Sequence, residues 1–501
     1  MNQHGTSGKS MLEDDSKTGL DAAELTTADL LDQNTFSAKE RSSVLRKLDM
    51  RLMPIMLLTV TLQYLDKTTL NLGNLLGLQH DLGLQGQEFS TLGSLFYIGY
   101  LVSSPIHALA FQYLNVATYA SVNITIWGAI LMCHAACHSF SGMAACRFLL
   151  GWFEGAITPA FVLITGAFYT QTESTARAGT WYTGNGWAQI IGGAATYGLL
   201  IQDPSKVHIA RWREMFLIFG AITILWGLLL FVVLPGEPAS TKHLSERERL
   251  IAIERIRESR TGLSDRRFKV DQMFAAFKDP RSWLFCLLSM CSSIANGGTS
   301  NFGSAIIRSF GFNAEKTALV GMSTGGSEVV LIVICCLISV YTKTRVIPGV
   351  LAFVLAIVGA AMVVALPKAE QVSRMAGYCL VFAFPVGLLF VFAWMANSVS
   401  GSTKKITMNA MVQIAYCTGN AIGPQTFRAK DAPAYTSAKI TIMSMFIVCL
   451  LCICGVGLIH FIWNKQRKQH LADSEYAEHT SAEEDLRDST DREKPTFRYP
   501  Y

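Results

Sequence analysis

Charge is what this 501-residue chain has least of: 16% of its residues are charged, half are hydrophobic, and mean hydropathy is +0.32. A soluble fold of this length has too much surface for such a balance, whereas a polytopic membrane protein has little water to face. No Walker A sequence is present, so ATP-driven pumping has no support. No amino-terminal signal peptide is visible, because the first fifty residues are polar and the first apolar run begins near Leu52. The 12 cysteines lie mostly within apolar runs, and no CxxC pair of metal spacing falls outside them. Neither a zinc site nor a disulfide framework is expected, and no metal or other cofactor; the thiols read as small buried hydrophobes. Basic clusters before the first apolar run, near 242–281 and at Lys465–Lys468 flank apolar segments without interleaved aromatics, which argues against nucleic-acid binding.

What is abundant is the apolar run of about twenty residues. Twelve are expected, near 51–71, 89–110, 117–137, 143–168, 178–201, 213–234, 281–303, 317–340, 346–366, 375–398, 406–426 and 437–463. The fold class is therefore an all-α integral membrane protein with about twelve spans in two six-helix halves, 46–234 and 281–464. A charged central loop, 235–280, divides them, and Ser245-x-x-Glu248 within it is a capping-box pattern opening a surface helix. Residues 1–45 and 465–501 are polar and read as disordered tails. Lysines and arginines in 40–54, in the central loop and after the last span place both termini in the cytoplasm. Lys206, Arg211 and Arg213, between spans 5 and 6, run against that assignment.

The densest anomaly is RFLLGWFEGAITP, 147–159, inside span 4. Arg147 and Glu154 are seven residues apart and share a helical face. Charges in a span cost several kcal/mol unless paired or wetted, which makes them functional candidates, with a structural ion pair as the alternative. Asp66 lies about 22 Å up span 1 at 1.5 Å per residue, level with Arg147, so the two could pair. Glu154 falls near the midplane, where transporter sites lie. A carboxyl whose proton affinity changes as an arginine approaches or withdraws is what proton coupling needs. Glu154 is the first candidate for that group and Glu328, midway along span 8, the second. Lys67 reads as a lysine snorkelling to the interface.

Polar candidates on other spans are weaker. Asn185 and Gln189 share a face of the glycine-rich span 5. Asn296 and Asn301 flank a glycine pair expected to weaken span 7, and Asn397 lies in span 10. Lys404–Lys405 are expected to mark topology at the membrane surface. His107 reads as a buried helix contact, and His134 with His138 as surface residues at the end of span 3.

Several stretches resemble one family: RKLDMRLMP (46–54), LDKTTLNLGN (65–74), RFLLGWFEGAITP, WYTGNGWAQIIGG (181–193), LPGEPASTKHLSERER (234–249), NGGTSNFGSAIIRSFGF (296–312) and, most specifically, 403–438. The chain is similar over about 44–464 to the fungal allantoate permease-like, anion:cation symporter branch of the major facilitator superfamily. The resemblance implies alternating access and proton-coupled uptake of a small organic anion, such as allantoate, ureidosuccinate, nicotinate, pantothenate or biotin. It also implies a monomer in the plasma-membrane bilayer and no enzymatic activity. It favours spans 1, 4, 7 and 10 as cavity walls, hence Asp66, Arg147, Glu154, Asn296, Asn301 and Asn397. Two stretches depart from the pattern: GYLVSSPIHALAF (99–111) lacks an acidic residue before its proline, and QYLNVATY (112–119) lacks the usual loop charges. Export of a secondary metabolite and a non-transporting nutrient sensor are the alternative functions.

Overall fold

The computed structural model describes residues 36–203, 209–238, 241, 243–259, 268–342, 344–367, 369–473, 489–494 and 497–500. The described residues are helical with short connectors and contain no strand. The first half comprises α1 (Ala38–Leu75), α2 (Glu88–Tyr113), α3 (Val116–Cys133), α4 (Phe140–Glu154), α5 (Ile157–Phe168), α6 (Gln171–Tyr182), α7 (Gly184–Leu200) and α8 (Arg211–Val233). Two shorter helices follow, α9 (Glu246–Ser259) and α10 (Val270–Lys278). The second half comprises α11 (Pro280–Arg308), α12 (Ala314–Thr342), α13 (Val346–Ala365), α14 (Gln371–Val381), α15 (Phe384–Ser398), α16 (Ser402–Gln425) and α17 (Thr436–Asp473).

The pairs α4–α5, α6–α7 and α14–α15 are single rods broken near their middles, so each half has six rods. Among the described residues, eight helical segments are long and apolar enough to cross a membrane. The other four expected spans, α1, α6–α7, α11 and α16, form at their places but are more polar. All four lie at the seam between the halves, where polar side chains meet one another instead of lipid. The opposite, outward surfaces carry exposed Leu225, Val232, Val340 and Leu451, which only a hydrocarbon surround leaves without cost.

Local chemistry sets the ends. Ser37 and Glu40 form a reciprocal capping box that starts α1 at Ala38, inside the stretch expected to lack structure up to residue 45. Residues 1–35 lie outside the described residues. The predicted box at Ser245 and Glu248 also forms. Asp279 caps α11 by accepting from the Arg281 amide, with Pro280 at the first helical position. The weakening expected in span 7 does not occur, and α11 runs unbroken through Gly297–Gly298. The glycines serve packing instead: a Cβ on Gly297 would lie 2.3 Å from the Asn420 carbonyl oxygen of α16. Gly151 serves close packing in α4 as well, since a Cβ there would lie 1.9 Å from the Phe96 carbonyl oxygen of α2.

One end of the bundle, the terminal face, carries the start of α1, α9, α10 and the end of α17. At the opposite, far face the two halves close on each other. Phe302 stacks on Phe427 with ring centroids 4.4 Å apart and takes the edge of Phe89 at 5.1 Å. Beside this plug, Ser304 N–H donates to Asn71 Oδ1 (3.0 Å), Ser94 Oγ to the Ala421 carbonyl (2.6 Å) and Gln425 Nε2 to Ser94 Oγ (3.0 Å). Arg211 and Arg213, the basic residues that opposed the topology, are engaged at this face: Arg211 donates to the Gln202 carbonyl, and Arg213 to the Ala135 carbonyl and Asp81. Lys206 lies outside the described residues.

Candidate functional site

Three clusters of buried polar groups sit at mid-depth. In the first, Asp66 is fully buried and accepts from Thr223 Oγ1 of α8 at 3.0 Å, while its Oδ1 has no hydrogen-bond partner. Arg147 does not pair with it. The guanidinium donates to Thr69 Oγ1 at 3.4 Å and lies 5.9 Å from the Phe216 ring centroid. Thr69 is three residues on from Asp66, so α1 meets α4 through the Thr69 hydroxyl and α8 through the Asp66 carboxylate, one helical turn apart.

The second cluster centres on Glu154, the last residue of α4 before the break at Gly155–Ala156. It is fully buried, and neither carboxylate oxygen has a hydrogen-bond partner. Its counter-charge is Lys67, whose Nζ is 3.9 Å from Oε1. The ammonium sits among the rings of Tyr64, Phe96 and Tyr97, 5.6 to 5.9 Å from each centroid. Lys67 therefore does not snorkel; its side chain is 12% exposed and turned inward. An aromatic cage holds a cation without binding its hydrogens, which leaves the ammonium free to donate to an arriving acceptor.

The third cluster crosses the seam. Gln189 of α7 donates to Glu328 Oε2 of α12 at 2.6 Å and accepts from Thr324 Oγ1 at 2.7 Å. Glu328 is fully buried and its Oε1 is without a partner. Gly186 and Gly325 let the helices come this close, since a Cβ on Gly325 would lie 2.3 Å from the Gly186 carbonyl oxygen. Asn185 is buried one turn before Gln189. A cavity of about 60 Å³ opens beside this cluster, with Tyr64, Asn71, Gln189, Ser304, Thr324 and Tyr378 among its walls. That is room for roughly four or five waters, so an organic molecule enters only after the halves part. Tyr64 belongs to this wall and to the Lys67 cage alike.

The remaining candidates hold helices together. Asn296 donates to Asn420 Oδ1 at 2.8 Å, tying α11 to α16. Asn301 donates to the Gly297 carbonyl of its own helix at 2.8 Å and is wedged against Gly93 of α2. Asn397 is half-buried in the last turn of α15 and is not among the residues lining the cavity. His107 is the expected helix contact, bridging Tyr119 Oη and the Trp152 carbonyl. His134 departs from expectation: it is fully buried and stacked on Phe216 at 5.1 Å, because α3 ends under α8. His138 is exposed. Among the described residues no group of His, Cys, Asp and Glu could hold a metal ion.

Paired six-rod halves, a closed far face and buried charges at mid-depth define the class as a polytopic membrane transporter. The chain belongs to the Major Facilitator Superfamily, whose sequence profile matches residues 56–424. An uncharacterized transporter of Schizosaccharomyces pombe is 34% identical over 473 residues, covering 93% of this chain and 89% of that one. The allantoate permease of Saccharomyces cerevisiae is 33% identical over 465 residues, covering 90% and 85%. Among solved structures, a bacterial homolog of the human lysosomal transporter Spinster, inward-facing and occupied, matches with a TM-score of 0.59 at 14% identity, covering 84% of this chain and 96% of that one. These relatives mark a transporter of the allantoate permease-like branch rather than an enzyme.

Proposed function

We propose that the chain carries a small organic anion into the cell together with a proton, as a monomer in the plasma membrane. The observation that carries this reading is the Lys67–Glu154 pair: a caged ammonium facing a buried carboxylate whose oxygens bind nothing else. A substrate carboxylate is the natural competitor for that ammonium. When it docks on Lys67, Glu154 loses its counter-charge in a low-dielectric site, and taking up a proton removes the charge left behind. Anion and proton are then bound together and released together, which is symport.

Gln189 and Glu328, with Asn185 beside them, form the polar wall shared by both halves, and their partners must separate as the halves rock. Asp66 and Arg147 position α1 against α4 and α8. The halves 46–234 and 281–464 are the moving bodies, with 1–45, 235–280 and 465–501 on the cytoplasmic side. The basic residues gathered at the terminal face support that orientation, and the closed far face is then the outer gate. Allantoate leads the candidate substrates because of the permease at 33% identity. Uptake of labelled allantoate and vitamin carboxylates by cells expressing the chain, at about pH 5 and about pH 7.5 with and without an uncoupler, tests the reading. Accumulation that is faster in acid and abolished by the uncoupler is expected; accumulation indifferent to both overturns proton coupling.

A further inference from the structure

The acidic segment after α17, expected to be a solvated tail, is not solvated where it is described. Asp491 is fully buried. Its Oδ2 accepts from Arg281 at 2.6 Å and from the Tyr499 hydroxyl at 3.0 Å, and its Oδ1 from Lys404 Nζ at 2.7 Å. Arg281 also holds Asp279 at 2.6 Å and donates to the Ser398 carbonyl at 3.0 Å; Lys404 lies 2.9 Å from Asp279. Lys404, expected at the membrane surface, is thus a buried member of a four-charge cluster, because an anion is brought to it from elsewhere in the chain.

The rest of the segment is pinned in register. Asn464 of α17 pairs with both the amide and the carbonyl of Tyr499, at 3.0 and 2.9 Å. Trp394 Nε1 of α15 and His460 Nδ1 of α17 both reach the Pro500 carbonyl. Arg467 donates to the carbonyls of Phe497 and Asp491. The Arg281 guanidinium lies 4.6 Å from the Trp463 ring and 4.7 Å from that of Tyr499. Without the segment, two buried cations would face the single carboxylate of Asp279, and a buried uncompensated charge is what folded proteins avoid.

We propose that the described residues 489–494 and 497–500 form a C-terminal latch, an intramolecular peptide ligand whose Asp491 completes a buried cationic cleft and so holds the terminal ends of α11, α15, α16 and α17 as one block. The contacts just given all fall on the second half, so the latch stiffens one moving body. Thr490, buried beside Asp491, is the reporter. In membranes containing full-length protein, a cysteine at Thr490 should react with a maleimide far more slowly than in the detergent-denatured chain, with the protein lacking it as background. Adding Asp491→Asn should speed labelling about 100-fold, the scale of removing one partner from a buried ion pair. Adding Arg498→Gln, at an exposed position of the same segment, should leave it slow. Labelling of the reporter at the denatured rate before any further change, or a rate unaltered by Asp491→Asn, overturns the latch.

Discussion

At the scale of single residues, the pairing of Lys67 with Glu154 turns two anomalies into one device, and each partner has a separable signature. Glu154→Gln keeps the shape of the site and removes the titrating group. We expect accumulation against a gradient to be lost while exchange of labelled for unlabelled substrate persists; equal loss of both would make Glu154 a structural residue. Lys67→Met keeps the apolar stem and removes the charge that would receive the anion. Loss of one charge-assisted hydrogen bond, about 1.5–3 kcal/mol, corresponds to a rise in KM of roughly tenfold to a hundredfold. Lys67→Arg should recover part of it. An unchanged KM in Lys67→Met would move the anion site elsewhere, to the Gln189–Glu328 wall or Arg147. Composition alone shows that Glu154 is unusual. It does not show its partner, because depth counted along the backbone places Lys67 by its Cα, and the long stem then carries the ammonium a turn away into the ring cage.

At the scale of helices, the sequence is legible where the solvent is lipid and illegible where it is protein. Apolar runs mark all twelve rods, and eight pass a strict test of length and apolarity. The four that do not are seam helices, whose polar residues answer to partners as many as 331 positions away, as Gln425 does to Ser94. Glycines show the same limit. Gly325 and Gly326 are adjacent and indistinguishable in sequence, yet a Cβ on the first would lie 2.3 Å from the Gly186 carbonyl and a Cβ on the second meets nothing within 4 Å. Gly325→Ala should therefore lower the thermal midpoint of the purified protein and slow transport by prising α7 from α12. Gly326→Ala should change neither beyond the small gain of alanine in a helix, about 1 kcal/mol. Similar losses in both variants would show that the α7–α12 contact is not tight. The broken rod at Glu154 is likewise hidden, since Gly155 accompanies a break in α4–α5 while the Gly297–Gly298 pair serves close packing in an unbroken α11.

At the scale of the molecule, each half carries a staple on its terminal face, and the two differ in kind. In the first half α9 is tied to α1 by Arg41–Glu254, Lys47–Glu248 and Arg247–Glu40, all partly exposed, each worth no more than about 1 kcal/mol. In the second, the latch ions are buried, and the stability at stake is larger. Burial opposes the charge on Asp279 and Asp491, but Arg281 and Lys404 outweigh it and hold both carboxyls below their usual range. A depressed carboxyl stabilises fully above its unfolded value, near 3.9, and loses that contribution only as pH falls through the folded value. The deficit in thermal midpoint of Asp491→Asn should thus be constant from about pH 5 to about pH 8 and shrink below about pH 4; a deficit that varies across the neutral range would implicate another titrating group. With both staples confined within halves, the proposed transport cycle puts the large motion at the seam, where the far-face plug would open once per cycle. Cysteines replacing Asn71 and Ser304, where the Ser304 amide now donates to the Asn71 side chain at 3.0 Å, would cross-link that seam shut. Uptake should stop on oxidation and return on reduction, while each single cysteine transports under both conditions. Transport that continues through the cross-linked protein would mean that the halves do not part at Asn71 and Ser304.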